Sequence, residues 1–356
     1  MAIWTTFCPS KICWELTYVQ TSFGSAQDKQ GKPTSNWLEH QDLIINSLKL
    51  LKKHGISGIR LVVFPNEITQ DGRKYDWTAI ETMLTLCHKL KILVDLCLGP
   101  YQYPYYPGIY LPAQLVEYVF DNDNALDTNP ELRKYGMTSL QMQLERYGQD
   151  DRIVGFHLAN EWPDSQHISG KESIKKIISE DFMTRAASLC KASTDKPIRL
   201  NTNIRVSDKT KITNIFTNIF TILGNQAHLG FDIYPSQETW LKQPLQRIRL
   251  LFETHAYTFR EIKKVLKGYS LYFAEIEAQP WGDGRSWYDL IKNESNPEQS
   301  ILSYSSLSLI KTWNMYIKRT NSEIVSLWGS DFWLAAYAMG ITWPLKQVKI
   351  ISSGDV

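Results

Sequence analysis

The chain has 356 residues, 43% of them hydrophobic and 21% charged, a balance that gives a globular protein ample material for a core. A formal net charge of only +2 argues against nucleic acid or an anionic membrane as the main partner. The five cysteines (Cys8, Cys13, Cys87, Cys97, Cys190) are scattered without CxxC or metal-ligand spacing, which argues against a disulfide framework and fits a reducing compartment.

Taken in chain order, short apolar, β-branched runs recur with helix-like segments between them. "IWTTFCP" (3–9) opens the series with no basic region and long apolar stretch ahead of it, so no secretion signal is read and a cytoplasmic location is expected. "SGIRLVVF" (57–64) follows the amphipathic "QDLIINSLKLLKKHG", where Gly55 reads as the helix stop. "KILVDLCLG" (91–99) follows "WTAIETMLTLCHKL", and "RIVGFHLAN" (152–160) follows "TSLQMQLERYG". "PIRLNTN" (197–203), "AHLGFDIYP" (227–235), "YSLYFAEIEA" (269–278) and "EIVSLWG" (323–329) complete eight units. Strand–helix alternation repeated eight times predicts parallel strands covered by helices. No linker, charge block or low-complexity stretch divides the chain, so the expected fold is α/β, one (β/α)8 TIM barrel over residues 1–356. No run is long and apolar enough to span a bilayer.

The runs end in a consistent way. Strand two carries Arg60 and leads to Asn66, and strand four ends at Asn160 and Glu161. Strand five ends at Asn201 and Asn203, strand six at Asp232 and Tyr234, strand seven at Glu275 and Glu277, and strand eight at Trp328. In a barrel all these ends meet at the C-terminal face, where barrel active sites lie. A carboxylate at the tip of a buried strand gives up hydration, which is tolerated where an ion pair or a chemical step compensates. Glu161 and Glu275 fall on strands that face each other across an eight-stranded barrel. Two carboxylates opposed at about 5–5.5 Å are what retaining glycoside hydrolysis requires. Glu277, two residues beyond Glu275, points to the same face of its strand and is the other candidate nucleophile.

"LANEW" (158–162) resembles the Asn-Glu motif that ends strand four in the large clan of retaining (β/α)8 glycoside hydrolases, which includes cellulase-like and β-galactosidase-like families. "FAEIEAQPW" (273–281) is similar to the strand-seven segment of a group of cellulase-like bacterial proteins in that clan. "GIRLVVFPNEI" and "LWGSDFWL" look like its strand-two and strand-eight segments, so the resemblance runs from about residue 55 to 335. It implies that Glu161 is the acid/base, that Asn160 binds the sugar 2-hydroxyl, and that Glu275 is the nucleophile. It also implies that Arg60 donates to the nucleophilic carboxylate and holds it ionised. The chain departs from the pattern at Glu277 and Gln279, which stand where Gln and Glu are expected, and at Asp331, where Glu is expected. The choice between Glu275 and Glu277 stays open.

Other residues have two readings each. Arg60 is either a surface arginine beside its helix or a donor in the site. Tyr234 either bonds the nucleophile or merely precedes a Pro turn, and Asp232 reads as structural. Trp328 and Trp281 are candidate sugar platforms, and Trp328 could equally be core. The loop "GPYQYPYYPGIYLP" (99–112), with five Tyr and four Pro, offers Tyr101 and Gln102 to a glycan, or forms a rigid lid over the barrel. Asn201 is a further candidate contact. His157 reads as a packed histidine.

GxSxG, HExxH, P-loop and GxGxxG motifs are absent, so no metal and no cofactor is expected. The expected partner is a carbohydrate. A barrel that binds glycans without cleaving them, and an exo-acting β-galactosidase-like enzyme, are the alternatives. Sugar identity, linkage and oligomeric state are not encoded in any pattern found.

Overall fold

A computed structural model describes residues 2–21, 37–105, 108–119, 124–203, 209–233, 260–264, 266–278 and 322–353. The strands are β1 (Ala2–Phe7), β2 (Gly58–Leu61), β3 (Leu93–Cys97), β4 (Gly108–Ile109), β5 (Gly155–Ala159) and β6 (Gln166–Ile168). They continue with β7 (Lys171–Lys176), β8 (Ile198–Asn203), β9 (Ala227–Ile233), β10 (Ser270–Glu277) and β11 (Ile324–Trp328). Eight of them close into a parallel barrel in the order β1-β11-β10-β9-β8-β5-β3-β2, and these eight are the eight apolar runs. The remaining three, β4, β6 and β7, make a small separate sheet.

The helices are α1 (Pro9–Thr21), α2 (Gln41–Lys53), α3 (Pro65–Ile68), α4 (Thr78–Leu90), α5 (Pro130–Tyr147), α6 (Glu180–Ser193) and α7 (Lys209–Leu223), with two more at Ser330–Ala338 and Trp343–Ser353. Their boundaries follow local chemistry. In α2 the buried positions Ile44, Ser47, Leu48 and Leu51 recur at helical spacing, while Lys49, Lys52 and Lys53 stay on the outer side. The helix stops before Gly55, whose φ of +91° suits a residue without a Cβ. Helix α5 starts with Pro130 behind the cap Asn129, whose Oδ1 accepts from the Glu131 and Leu132 amides at 2.9 and 3.3 Å. Ser179 caps α6 and is itself held by Asp127, which accepts from its amide at 2.8 Å and its hydroxyl at 2.5 Å.

The chain separates into two compact units. One comprises Met1–Ile59, Ile233–Phe259 and Phe273–Val356. Here β11 pairs with β1 from Ala2↔Ile324 to Thr5↔Leu327, and β10 pairs with β11 through a bulge between Phe273 and Ile276. Helix α1 packs on Ser330–Ala338, and Ile3, Trp4, Phe7, Phe332 and Trp333 are buried. Gly58 lies flat against the Trp4 indole, where a Cβ would come within 2.5 Å of the ring.

The other unit comprises Arg60–Asp232 and Arg260–Tyr272. Its strands β3, β5, β8 and β9 pair in parallel, and α5, α6 and α7 pack side by side outside them. Phe156, Leu158, Phe182, Phe216 and Phe220 form its apolar centre. The small sheet draws on the connections on both sides of β5: β4, before it, runs parallel to β6 (Gly108↔His167, Ile109↔Ile168), and β6 turns back antiparallel into β7.

All five cysteines are buried and free. Burial pushes the Cys87 and Cys190 thiols up to about 12, so they behave as apolar packing groups. Among the described residues, no helix is long and apolar enough to cross a membrane.

Candidate active site

Every residue of β5 is buried, and the strand delivers Asn160, 5% exposed, and then Glu161 at its end. The register against β8 slips between His157 and Ala159, and Glu161 sits at φ +52°. That left-handed backbone costs a residue with a Cβ about 1–2 kcal/mol. The surroundings hold it there. Trp162, 1% exposed, donates its indole N–H to the Ile178 carbonyl at 2.9 Å and meets the Phe216 ring edge-on at 5.4 Å. Gln166, on β6, donates from Nε2 to Glu161 Oε2 at 2.7 Å.

Asn160 is oriented from β8. The fully buried Asn201 donates from Nδ2 to Asn160 Oδ1 at 3.0 Å, and also to Asp232 Oδ2 at the end of β9. With its oxygen engaged, Asn160 turns its own NH2 away from Asn201. A carboxylate oxygen of Asp232 lies within 4.8 Å of one of Glu161. Asn201 and Asp232 therefore brace the Asn160 amide from behind.

Below this level the strands carry charge into the interior. Arg199 on β8 pairs with Asp95 on β3, both side chains 5% exposed. The intervening strand makes room for the pair: Asp95 is the register partner of Gly155, where a Cβ would lie 1.9 Å from Arg199 Nη1 and 2.5 Å from Asp95 Oδ1. Desolvation pushes the Asp95 carboxyl up, and Arg199 and then Arg60 draw it down. Arg60 is only 3% exposed, which rules out the surface reading for it. Burial and the charges of Arg60 and Arg199 hold the His157 pKa well below the ordinary histidine range, so its imidazole is neutral. The Arg199 guanidinium also lies over the Tyr272 ring, 5.9 Å from its centroid.

The tyrosine-rich loop is used in packing. Tyr101 is 1% exposed; its hydroxyl donates to the Leu132 carbonyl at 2.6 Å and its ring lies against Phe182 and Tyr135. Tyr110 stacks on Phe64 with centroids 4.1 Å apart, and Tyr103 and Tyr105 meet Phe64 edge-on. These surroundings are those of a rigid cover. Gln102 is buried and donates from Nε2 to the Asp164 carbonyl at 3.3 Å, bracing the turn that follows Glu161.

In the unit that holds it, Glu275 lies on β10 and is 2% exposed. The strand end is clamped just beyond it. The Ala278 amide donates to the Trp328 carbonyl at 2.8 Å, and the Trp333 indole donates to the Ala278 carbonyl at 2.7 Å. Trp328, 8% exposed, is the register partner of Glu277. The backbone of Glu277 is described but its side chain is not; Tyr234, Gln279 and Trp281 lie outside the described residues. Asp331 stands in the first turn of Ser330–Ala338, and its charge acts on Glu15 of α1.

Three of these residues were not among the expected site residues. Gln166 sits in "DSQHISGKES", whose pattern does not announce a hairpin. Arg199 does leave a trace, an arginine inside the apolar "PIRLN", the same signal that singles out Arg60. Trp333 lies in "SDFWLAAYA" and reads only as core.

No protein-family model matches the sequence, and no curated protein does. Solved structures are similar to it in fold. The chain is similar to a β-galactosidase from Rahnella sp. R3 (12% identity, TM-score 0.57, covering 98% of this chain and 56% of that one). It is similar to a GH10 endoxylanase retrieved from a sugarcane soil metagenome (12%, 0.54, covering 95% and 89%). A third likeness is to a GH5_18 protein from Streptomyces cattleya in complex with GlcNAc (10%, 0.56, covering 92% and 70%). At these identities the likeness shows the fold, a (β/α)8 barrel. The chain spans 56% and 59% of the lengths of two of the β-galactosidases it resembles.

Proposed function

We propose that this chain is a retaining β-glycoside hydrolase whose catalytic unit is the barrel of residues 1–356, with Glu161 as general acid/base and Glu275 as nucleophile. One observation carries the reading: an Asn-Glu pair ends β5 with the Asn amide braced by Asn201 and Asp232, and the buried Glu275 lies toward the end of β10. The parallel course of all eight strands supports it, since their carboxyl ends share the rim on which barrel active sites are built. The named activities of the similar structures, a β-galactosidase and an endoxylanase, point the same way.

In this reading a carboxylate oxygen of Glu275 attacks the anomeric carbon while the bond to the leaving oxygen breaks. Glu161 gives that oxygen its proton. Glu161 then takes a proton from water, which attacks the anomeric carbon and releases Glu275 with the β configuration restored. This sequence requires the two carboxyls about 5–5.5 Å apart. Asn160 holds the sugar 2-hydroxyl as the oxocarbenium-like state develops, a contact that contributes several kcal/mol in such enzymes. Arg60 keeps the nucleophile ionised. Trp328 presents a face to the sugar, and Tyr101 and Gln102 shape the loop that borders it.

Hydrolysis is tested on 4-nitrophenyl β-glycosides of glucose, galactose, mannose and xylose. Glu161→Gln and Glu275→Gln are each expected to lower kcat on the accepted glycoside by 10³-fold or more, on the order of 4 kcal/mol, with the thermal midpoint retained. Azide added to Glu275→Ala is expected to yield the α-glycosyl azide. A Glu275→Ala protein with full activity would overturn the assignment.

A further inference from the structure

We infer that Gln166 fixes which oxygen of Glu161 carries the acid proton, an inference that rests on the reading of Glu161 as acid/base. Three observations lead to it. The Gln166 amide donates to Oε2 of Glu161 at 2.7 Å. Its side chain crosses the open face of Gly108 on β4, where a Cβ would come within 2.5 Å of Gln166 Oε1 and 3.0 Å of its Cβ. The sheet that carries it is tied down, because the Ser169 amide donates to the Ile109 carbonyl at 2.8 Å and Lys171 Nζ donates to the Val119 carbonyl at 3.0 Å. The turn leading to it is held as well, with the Asp164 amide donating to the Glu161 carbonyl at 2.9 Å.

The chemistry follows from what an amide can do. The carbonyl oxygen of a protonated carboxyl is a stronger acceptor than its hydroxyl oxygen, so a protonated Glu161 presents Oε2 to Gln166 as the carbonyl and carries its hydrogen on Oε1. In the first step the Oε1 proton passes to the glycosidic oxygen as its bond to the anomeric carbon breaks. The carboxylate left behind keeps the Gln166 N–H on Oε2. In the second step Oε1 takes a proton from the attacking water, and Glu161 returns to its starting state. One fixed donor thus serves both half-reactions. Without it the acceptor contact on Oε2 is lost and the carboxyl is held less firmly. Gln166 is a positioning residue, acting through Glu161.

The test compares 2,4-dinitrophenyl and phenyl β-glycosides of the sugar accepted in the nitrophenyl panel. The first leaving group departs with little help from an acid, and the second needs it. Gln166→Met keeps the length that lies over Gly108 and removes the donor. It is expected to lower kcat/KM on the phenyl glycoside about tenfold more than on the dinitrophenyl glycoside, as misplacing a general acid does. An equal fall on both substrates, or no fall on either, overturns the inference, because a merely structural side chain does not discriminate leaving groups. A faster phenyl reaction also overturns it, since it would mean that the amide is turned about and withholds the proton. Glu161→Gln run in parallel separates the two claims. If it shows no difference between the leaving groups, the acid/base reading itself falls; if it discriminates and Gln166→Met does not, only the role of Gln166 is lost. A wild-type protein inactive on every sugar of the panel refutes both.

Discussion

Gly155 occupies a position where any side chain would have to displace the Arg199–Asp95 pair. Gly155→Ala is expected to destabilise the protein by about 3–5 kcal/mol, the cost of separating two buried charges that have no other solvent. Urea unfolding measures it, and a shift under 1 kcal/mol would show that the guanidinium moves aside at little cost. The sequence makes this layer half legible. Arg60 stands out as an arginine inside an apolar run, and by that rule Arg199 should have stood out too. Asp95 and Gly155 leave no such mark, because one acid and one glycine in a strand mean little until the register between β3 and β5 is known. Asn201 was legible as a polar strand end. That it bonds Asn160 and Asp232, and so orients an amide two strands' worth of sequence away, depends on a pairing no spacing encodes.

Between elements, the contact of α1 with Ser330–Ala338 carries an acid of its own. Glu15, 5% exposed, has its pKa pushed up to about 8 by burial and then by the charge of Asp331, against the pull of Lys11. The group therefore binds its proton more tightly folded than unfolded, where 4.5 is the ordinary value. Its contribution to stability is fully present below pH 4.5, declines by up to about 1.4 kcal/mol per pH unit as pH rises, and is lost once pH passes 8. Glu15→Gln is expected to raise the thermal midpoint at pH 8 and to leave it nearly unchanged at pH 4; an equal rise at both would place the effect in packing. The helices ahead of β2, β3 and β5 are legible from the apolar spacing of their segments, with Gly55 marking one stop. The small sheet is not. "SQHISGKESIKK" mixes polar and apolar residues without alternation, and what makes strands of it is pairing with Gly108 and Ile109, more than fifty residues earlier in the chain.

For the whole molecule, the eight apolar runs suffice to give the barrel, because buried parallel strands read as continuous apolar stretches and helix-like segments lie between them. The tyrosine-rich loop shows where composition misleads. Its rings suit a glycan as well as a core, and Tyr101, Tyr103, Tyr105 and Tyr110 are all buried against Phe64, Phe182 and their neighbours. The φ of Glu161 has a consequence for handling the protein. An ionisable side chain stands there on backbone that favours glycine, at a cost in stability. Deleting that side chain altogether should release the tension: Glu161→Gly is expected to melt higher than Glu161→Ala by the equivalent of about 1 kcal/mol, reversing the usual order of the two residues, as differential scanning calorimetry would show. If Glu161 is the acid/base proposed above, such a toughened and silenced barrel is the form in which to capture an uncut glycoside.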